Sequence, residues 1–267
     1  MRLSAPQDGV QRIEAYFAGH AYTPHRHDTY AIGYTLGGVQ CFRYRGSETS
    51  SLPGRIMVIH PDEVHDGHAG TEDGFLYRML YVEPSRIRAA LDGRADTLPF
   101  AKETVFGDAR LLSTLAAACG DLERPIDPLL MDQIIATIAD RLLAHDPSLK
   151  QQRRQRIDSR AMSRVEAFLE ANATRTVHSE ELEDLAQIDR YSLARQFRRA
   201  YGTSPYRFLM MRRLDRARQA ISEGTPLAET AALLGFSDQA HMSRHFNAAF
   251  GLSPGRWRRL TSAAQAL

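Results

Sequence analysis

The chain contains one thirteen-residue pattern twice, as LARQFRRAYGTSP at residues 193–205 and as MSRHFNAAFGLSP at residues 242–254. The copies are 49 residues apart, and each has an apolar residue two positions before an Arg and a Phe two positions after it. Each then continues with an aromatic residue, a Gly and, after one more residue, Ser-Pro. A helical unit that occurs twice, with an arginine at the same position in each copy, predicts that both copies bind a partner in the same way at two neighbouring sites.

The residues before the first copy predict a helix-turn-helix unit. We expect Ser179 to cap a first helix whose positive end is favoured by the two glutamates that follow it. The pair Ile188-Asp189 breaks the pattern, and Asp189 is placed to cap a second helix over about 190–200.

The second unit repeats this arrangement. Thr225 is the expected cap of its first helix, with Pro226 at the first helical position, where Pro is tolerated. Gly235 is placed for a left-handed turn, and Ser237 or Asp238 is expected to cap the second helix. Between the units, residues 204–223 predict one long helix that would fix their separation, so that two helices could enter successive major-groove segments of DNA about 34 Å apart.

The part of the chain that contains the two units is also more basic than the part before it. Residues 1–150 carry 15 basic and 20 acidic side chains, whereas residues 151–267 carry 19 basic and 12 acidic ones, and all 19 are Arg. A basic half that coincides with the repeat indicates a polyanionic partner. The sequence has no stretch of 18 apolar residues and no apolar signal core at its start, so we expect a cytoplasmic protein without membrane contact.

These motifs resemble the DNA-binding domain of the AraC/XylS family of bacterial transcription regulators. The resemblance rests on the two copies, on MRRLDRA at 211–217 and, above all, on AALLGFSDQAHMSRHF at 231–246. It departs from the family at Glu183 and at Gln187, which stand where a small residue and a turn glycine are usual. In the family the second helix of each unit reads DNA. The resemblance therefore implies DNA contacts by Arg190, Tyr191, Ala194, Arg195, Arg198, Arg199, Gln239, Ala240, His241, Ser243 and Arg244. An arginine side chain can hydrogen-bond to guanine, and a glutamine side chain can hydrogen-bond to adenine. Arg198 and Arg199 are assigned to phosphate contacts instead.

The first part of the chain predicts strands. Short apolar runs at Tyr30–Leu36, Gln40–Tyr44, Arg55–His60 and Phe75–Val82 are separated by Gly, Pro and Asp. Close spacing of short strands favours a small barrel or sandwich. The fold class is therefore α+β, with an N-terminal β-barrel and an all-helical C-terminal domain.

Histidines are concentrated in the same region. The segments His25-Arg26-His27 and His60-Pro61-Asp62-Glu63-Val64-His65 resemble the cupin-type sensor barrel of the family. A catalytic cupin metal would need His25, His27, a Glu and His65, but the Glu position falls near Tyr30-Ala31, which has no carboxylate. Three imidazoles alone can bind zinc or iron, so a metal on these histidines stays open. The family resemblance implies instead that they serve structure or effector polarity, and we predict no metal and no cofactor.

The alternative use of this barrel is a small-molecule pocket. Candidate effector contacts, aromatic walls with polar tips, are His25, His27, Tyr30, Tyr34, Phe42, Tyr44 and His65. For each of these residues the simpler interpretation, that it fills the barrel interior, stays open.

The predicted organisation is a cupin-like effector-sensing and dimerisation domain over 1–145, a polar linker over 146–158 and a double helix-turn-helix domain over 159–267. Helical patterns at 108–123 and 128–145 form a hairpin, and the family resemblance implies that a homodimer forms there. The resemblance also implies RNA polymerase as a partner.

The leading hypothesis is an effector-responsive, DNA-binding transcription regulator and not an enzyme. One alternative is a metal-dependent cupin enzyme with an accessory helical domain; another is an architectural DNA-binding protein without a ligand. The identity of the effector, the operator sequence and the choice between activation and repression stay open.

Overall fold

The structure is a computed structural model that describes residues 1–91, 94, 95, 97–146 and 157–265, with the side chains of 262–265 excepted. The linker predicted over 146–158 falls mostly on residues 147–156, which lie outside the described residues. No helix in the described part of the chain is long and apolar enough to cross a membrane.

The N-terminal part contains two antiparallel sheets. Its strands are Arg2–Leu3 (β1), Val10–Phe17 (β2), His20–His25 (β3), Tyr30–Gly38 (β4), Gln40–Tyr44 (β5), Ser47–Ser51 (β6), Ile56–Ile59 (β7), His65–Ala69 (β8), Phe75–Val82 (β9) and Val105–Phe106 (β10). The first sheet has the order β1-β2-β9-β4-β7-β10 and the second has the order β3-β8-β5-β6. The α+β class is therefore confirmed.

The expected closed barrel is not observed. No ladder of hydrogen bonds joins the two sheets in the described residues, and the first sheet ends in β1 and β10, which have only two residues each. A barrel closes only when hydrogen bonds continue around the whole circumference, and strands this short present too few backbone groups for that. The sheets instead face each other as a sandwich, and side chains from both, such as Phe17 and Phe42, share one core.

Strand periodicity gives the first sheet two different faces. Along β4, Tyr30, Ile32 and Tyr34 pack in one core, whereas Ala31 packs in the other. The core that holds Tyr30 is covered by the helices Pro84–Leu91 (α1), Ala109–Ala118 (α2) and Pro128–Ala144 (α3). The hairpin predicted from residues 108–145 is thus confirmed as α2 and α3, while α1 was not predicted.

The C-terminal part is helical throughout, as expected. Its helices are Ser159–Ala171 (α4), Ser179–Ala186 (α5), Arg190–Tyr201 (α6), Pro205–Ser222 (α7), Leu227–Leu233 (α8), Gln239–Phe250 (α9) and Pro254–Gln265 (α10). The two helix-turn-helix units, α5-α6 and α8-α9, have separate cores. Helix α7 contributes to both cores, Phe208 to the first and Leu214 to the second, so one rigid element connects the units.

The predicted caps are correct for the second helix of each unit. Asp189 accepts from the amides of Tyr191 and Ser192, and Asp238 accepts from the amide of His241. The caps of the first helices were misplaced by one residue.

The N-cap of α5 is His178 rather than Ser179, and its backbone N–H donates to Glu181 Oε1 at 2.8 Å. The N-cap of α8 is Pro226, with no side-chain bond, so Thr225 lies outside the helix. Gln187 adopts φ 55° at the end of α5, which explains how this chain makes its turn without the usual glycine.

Candidate functional site: two helix-turn-helix units and a cavity at their junction with the sheets

Helix α6 exposes most of the side chains that were predicted to contact DNA. The side chains of Tyr191, Ala194 and Arg195 are exposed, with Tyr191 at 72%. Leu193 and Phe197 of the same helix are buried and anchor it in the core of the domain. Arg195 is steadied by a hydrogen bond of 2.8 Å from its Nη2 to Ser192 Oγ. This face could enter a groove without rearrangement of the helix.

Arg190 is held differently. Its Nη2 lies 3.0 Å from Glu183 Oε2 and 3.4 Å from Glu180 Oε1, and its backbone N–H donates to Glu183 Oε1. Glu183, the residue that departs from the family pattern, thus fixes the start of the second helix against the first. These carboxylates partly neutralise Arg190, so it offers less charge to DNA than Arg195.

Helix α9 presents the matching surface. Gln239, Ala240 and Arg244 are exposed, while His241 and Ser243 are half-buried. The ring of His241 stands at 5.7 Å from the Phe236 ring, centroid to centroid. Arg195 and Arg244 occupy the same position of the repeat and are both exposed, as the repeated pattern requires.

One of the two predicted phosphate contacts, Arg198, faces the N-terminal part. Arg198 Nη2 donates to Asp62 Oδ2 at 3.0 Å, and the side chain of Arg199 is half-buried. Asp62 Oδ1 also forms ion pairs, at 2.6 Å from Arg207 Nε and at 3.7 Å from Arg26 Nη1. Three guanidinium groups therefore surround one carboxylate at the border between the two parts of the chain.

Both helix-turn-helix units contact the N-terminal part with the C-terminal end of their second helix. At the end of α6, Arg88 donates to the carbonyls of Ala200 and Arg199 at 2.8 and 3.0 Å. At the end of α9, the N–H groups of Thr23 and Arg26 donate to the carbonyls of Gly251 and Ala248 at 3.2 and 3.1 Å.

The glycine that ends each of these helices explains the close approach. Gly202 and Gly251 have φ 76° and 65°, and they are equivalent residues of the repeat. A Cβ atom at Gly202 would lie 2.7 Å from Pro61 Cβ, and one at Gly251 would lie 2.8 Å from His25 Nδ1. The sequence pattern identified these glycines as helix ends, but their contact with the N-terminal part is a tertiary feature.

Three of the predicted effector contacts come together. His25 and His65 are cross-strand partners on β3 and β8, with ring centroids 4.1 Å apart. The His27 ring lies 4.9 Å from that of His65. We call these three residues the histidine cluster. Within the described residues, no group of His, Cys, Asp or Glu is arranged to hold a metal ion.

Each ring of the histidine cluster is fixed by its Nδ1 atom. The partners are the carbonyls of Thr23, Thr29 and Glu63, at 2.9, 2.9 and 3.0 Å for His25, His27 and His65. Burial lowers the pKa of His27 and of His65 to about 3 and that of His25 well below its usual value. The proximity of the rings to one another acts in the same direction. All three rings are therefore neutral near pH 7.

The other predicted effector contacts lie elsewhere. Tyr30 and Tyr34 belong to the core under α1–α3, and Tyr30 Oη donates to the carbonyl of Pro99 at 2.7 Å. Phe42 and Tyr44 fill the interior of the sandwich, where Tyr44 Oη lies 2.8 Å from His60 Nδ1. The structure brings together the predicted histidines, with Tyr44 as the cross-strand partner of His65, but none of the four predicted aromatic residues lines a cavity with them.

A cavity of about 640 Å³ lies between the sandwich and the helical part, and we call it the junction cavity. The histidine cluster lines it together with Tyr22, Tyr77 and Tyr81, and α7 and α10 close the opposite side. Tyr22 and Tyr77 share a hydrogen bond of 2.7 Å between their hydroxyls. Sequence reasoning did not find these tyrosines. Tyr22 precedes His25 on β3, but Tyr77 and Tyr81 lie on β9 of the other sheet, and no local pattern joins them to the histidines.

A buried ion cluster forms part of the same wall. Arg212 on α7 reaches Glu83 at 2.7 Å, Asp28 at 3.0 Å and Asp215 at 3.1 Å. Burial raises the pKa of Asp28 to about 6, and Arg212 opposes that shift. The cluster joins the two parts of the chain inside a low-dielectric region, where loss of one partner leaves an uncompensated charge. Nothing in the sequence pattern pairs residues 28 and 212.

The folded chain is thus a two-part protein in which a double helix-turn-helix domain packs on a β domain with a cavity at the junction. Residues 9–139 match the family model of the AraC-like ligand binding domain, and residues 182–260 match a helix-turn-helix domain model. The chain therefore belongs to the AraC family of transcription regulators. It is a DNA-binding transcription regulator whose N-terminal domain senses a small molecule.

Relatives agree along nearly the whole chain. The transcriptional regulator YbfI of Bacillus subtilis is 24% identical over 235 residues, which cover 86% of each chain. The transcriptional activator RhaS of Yersinia pseudotuberculosis is 25% identical over 256 residues, 91% of each chain. The fold is similar to that of ToxT from Vibrio cholerae, with a TM-score of 0.68 at 10% identity over 95% of this chain and 99% of that one.

Proposed function

We propose that α6 and α9 read two adjacent major-groove segments, with Arg195 and Arg244 as the central base contacts. The support is their equivalent position in the repeat and their exposure in an otherwise well-packed domain. An arginine that bridges guanine O6 and N7 contributes about 1–3 kcal/mol of discrimination. The remaining assigned side chains around them add base and phosphate contacts, with Arg198 available once it leaves Asp62.

The junction cavity is the proposed effector site. The observation that carries this proposal is the position of His25, which lines the cavity and also contacts the end of α9. Thr23 links the two directly, because its carbonyl accepts from His25 Nδ1 while its N–H donates to the Gly251 carbonyl. A ligand beside His25 therefore has a short physical connection to one DNA-reading helix.

The effector acts by changing how the β domain holds the two reading helices. Both helices end on that domain, through Gly202 and Gly251, and Arg198 is paired with Asp62. A ligand shifts such an equilibrium only by binding one arrangement better than the other. A molecule in the junction cavity touches both parts of the chain, so its affinity depends on their arrangement.

Further expectations follow from the family. The protein acts in the cytoplasm as a regulator rather than an enzyme, it forms a homodimer through α2 and α3, and it contacts RNA polymerase. The exposed side chains of Leu129 and Leu130, at 80% and 46%, support the dimer surface on α3. The domain boundaries at 145 and 159 stay part of this proposal. One ToxT structure, at a TM-score of 0.67 and 11% identity over 97% of each chain, holds an unsaturated fatty acid, which supports a small-molecule effector here.

Two measurements on the full chain test this proposal. Footprinting on DNA from its own gene neighbourhood should show two protected segments one helical turn apart, and Arg195→Ala or Arg244→Ala should weaken one segment each. In a reporter assay, His25→Ala and His65→Ala should reduce the effector response while leaving basal DNA binding intact. Unchanged dose curves in well-folded variants would refute the effector site, and unchanged footprints would refute the reading faces.

A further inference from the structure

We propose that the junction cavity binds an uncharged molecule that carries neighbouring hydroxyl groups on an apolar body, with the hydroxyls donating hydrogen bonds to the histidine cluster. This inference rests on the proposed effector site and names the chemical class of the effector. It excludes carboxylates and other anions as the natural ligand, although one fold relative holds a fatty acid.

The tautomer of each ring in the histidine cluster decides which of its nitrogens can accept a hydrogen bond from a ligand. A carbonyl oxygen only accepts hydrogen bonds, so the Nδ1 atoms that contact Thr23, Thr29 and Glu63 must carry the proton. A neutral imidazole has one proton on its two nitrogens, and therefore Nε2 of His27 and of His65 presents a lone pair. His25 also contacts the backbone of His65, so the histidine cluster offers at least two acceptors to the cavity.

Some acceptors next to the cavity have no partner. His27 Nε2 and Asp28 Oδ1 are both buried, and neither has a hydrogen-bond partner among the described residues. Both residues line the junction cavity. Buried acceptors without partners are costly, and a ligand that brings donors removes that cost. Hydroxyl groups are compact donors that also remain uncharged.

Charge in the cavity argues against an anion. Among the described residues its lining includes six carboxylates and four guanidinium groups, while the cluster rings are neutral. Two of the guanidinium groups are paired with carboxylates inside the lining, since Arg212 contacts three of them and Arg218 lies 3.3 Å from Asp215. Arg2 lies 3.1 Å from Glu123, and Arg216 donates to the Glu170 carbonyl at 2.9 Å. A carboxylate ligand would meet the lone pairs of the cluster and an excess of negative charge.

Apolar side chains on both sides of the junction cavity are suited to an apolar body. Met79, Met211, Phe250 and Trp257 line the junction cavity. Methionine adapts its shape to an apolar guest, and the two aromatic rings offer flat contact surfaces. The cavity therefore accommodates a molecule with a donor-bearing head and an aromatic or aliphatic body.

Three probes that share one body test this class directly. They are 3-phenoxypropane-1,2-diol, its dimethyl ether and phenoxyacetate, each added at millimolar concentration to the full chain labelled with ¹⁵N in histidine. The expected result is that the diol alone shifts the Nε2 resonances of the histidine cluster. The exposed His20 and the half-buried His68, which lie outside the cavity lining, should not respond. His65→Phe keeps a ring but removes one acceptor, so diol affinity should fall roughly fivefold, whereas His68→Phe should leave it unchanged.

Other outcomes overturn distinct statements. If phenoxyacetate or the ether binds in the cavity better than the diol, the ligand class is wrong and the effector site stands. If Zn²⁺ alone shifts all three Nε2 resonances and blocks the diol, the cluster is a metal site and the inference fails. If no probe perturbs any cavity residue, the effector site itself is refuted. The probe comparison uses the unmodified chain, so it decides the question even if His65→Phe does not fold.

Discussion

Acid should destabilise the β domain because it buries neutral imidazoles. Burial lowers the pKa of His27, His60 and His65 to about 3 and also lowers that of His25. Between pH 6.5 and the lowered values, the unfolded chain binds protons that the folded chain does not, so stability falls as the pH falls. At pH 5 each ring whose pKa is about 3 costs about 2 kcal/mol relative to neutral pH. Three such rings cost about 6 kcal/mol, and His25 adds in the same direction.

One carboxyl group opposes this trend. Burial raises the pKa of Asp28 to about 6, so the folded chain holds an extra proton at pH 5. Its contribution to stability is therefore present at low pH and is lost as the pH rises through that value. Unfolding at pH 5 should take up about three protons through the three rings whose pKa is about 3 and release about one from Asp28. The net uptake of about two protons corresponds to a slope of about 3 kcal/mol per pH unit, to which His25 adds in the same direction.

The measurement is urea unfolding of the full chain at a series of pH values from 7.5 to 5, followed by near-ultraviolet circular dichroism. His27→Phe should reduce the slope near pH 5 by about one proton, whatever its effect on absolute stability. Replacement of the exposed His20 by Phe is the matched control and should leave the slope unchanged. If the chain is as stable at pH 5 as at pH 7.5, the cluster rings are not buried and neutral, and the tautomer argument for the effector class falls too.

Three further predictions concern DNA binding and its control. Arg244→Ala should weaken binding to the cognate DNA site by about 1–3 kcal/mol and relax the base preference at one position, whereas Arg110→Ala on α2 should do neither. Competition with mutated DNA sites measures both effects. An equal loss of affinity on every sequence would count against a base contact. Gly251→Ala places a Cβ 2.8 Å from His25 Nδ1, so effector binding should no longer change the affinity for DNA. Gly224→Ala is the control, because Gly224 has φ 96° and no neighbour within 4 Å, so its variant carries similar backbone strain without that contact. Identical effector responses in the two variants would contradict the proposed connection. DNA affinity should fall steeply with salt because arginines displace counterions, and a flat dependence between low and high salt would contradict phosphate contact.

The sequence determined the helical half of this protein almost completely. Local signals define it, because capping residues such as Asp189 and Asp238, left-handed glycines and a 3.6-residue apolar period act within a few residues of one another. The repeat then fixed which side chains are exposed, and both Arg195 and Arg244 are found where it placed them. The caps that were missed, at His178 and Pro226, differ by one residue because those residue types seldom cap a helix.

Tertiary structure decided the sheets and the junction cavity. Strand pairing joins residues far apart in the chain, so the pattern predicted four strands but not that the sheets stay unclosed. Which face of a strand becomes the interior of the sandwich depends on the layers that cover the sheet. Tyr30 and Tyr34 face the core covered by α1–α3 and not the interior of the sandwich. The contacts between Asp28 and Arg212 and between His25 and Gly251 link positions 184 and 226 residues apart in the sequence. No local pattern specifies such pairs, because they form only when the helical half packs on the sandwich and excludes water from the charges and rings between them.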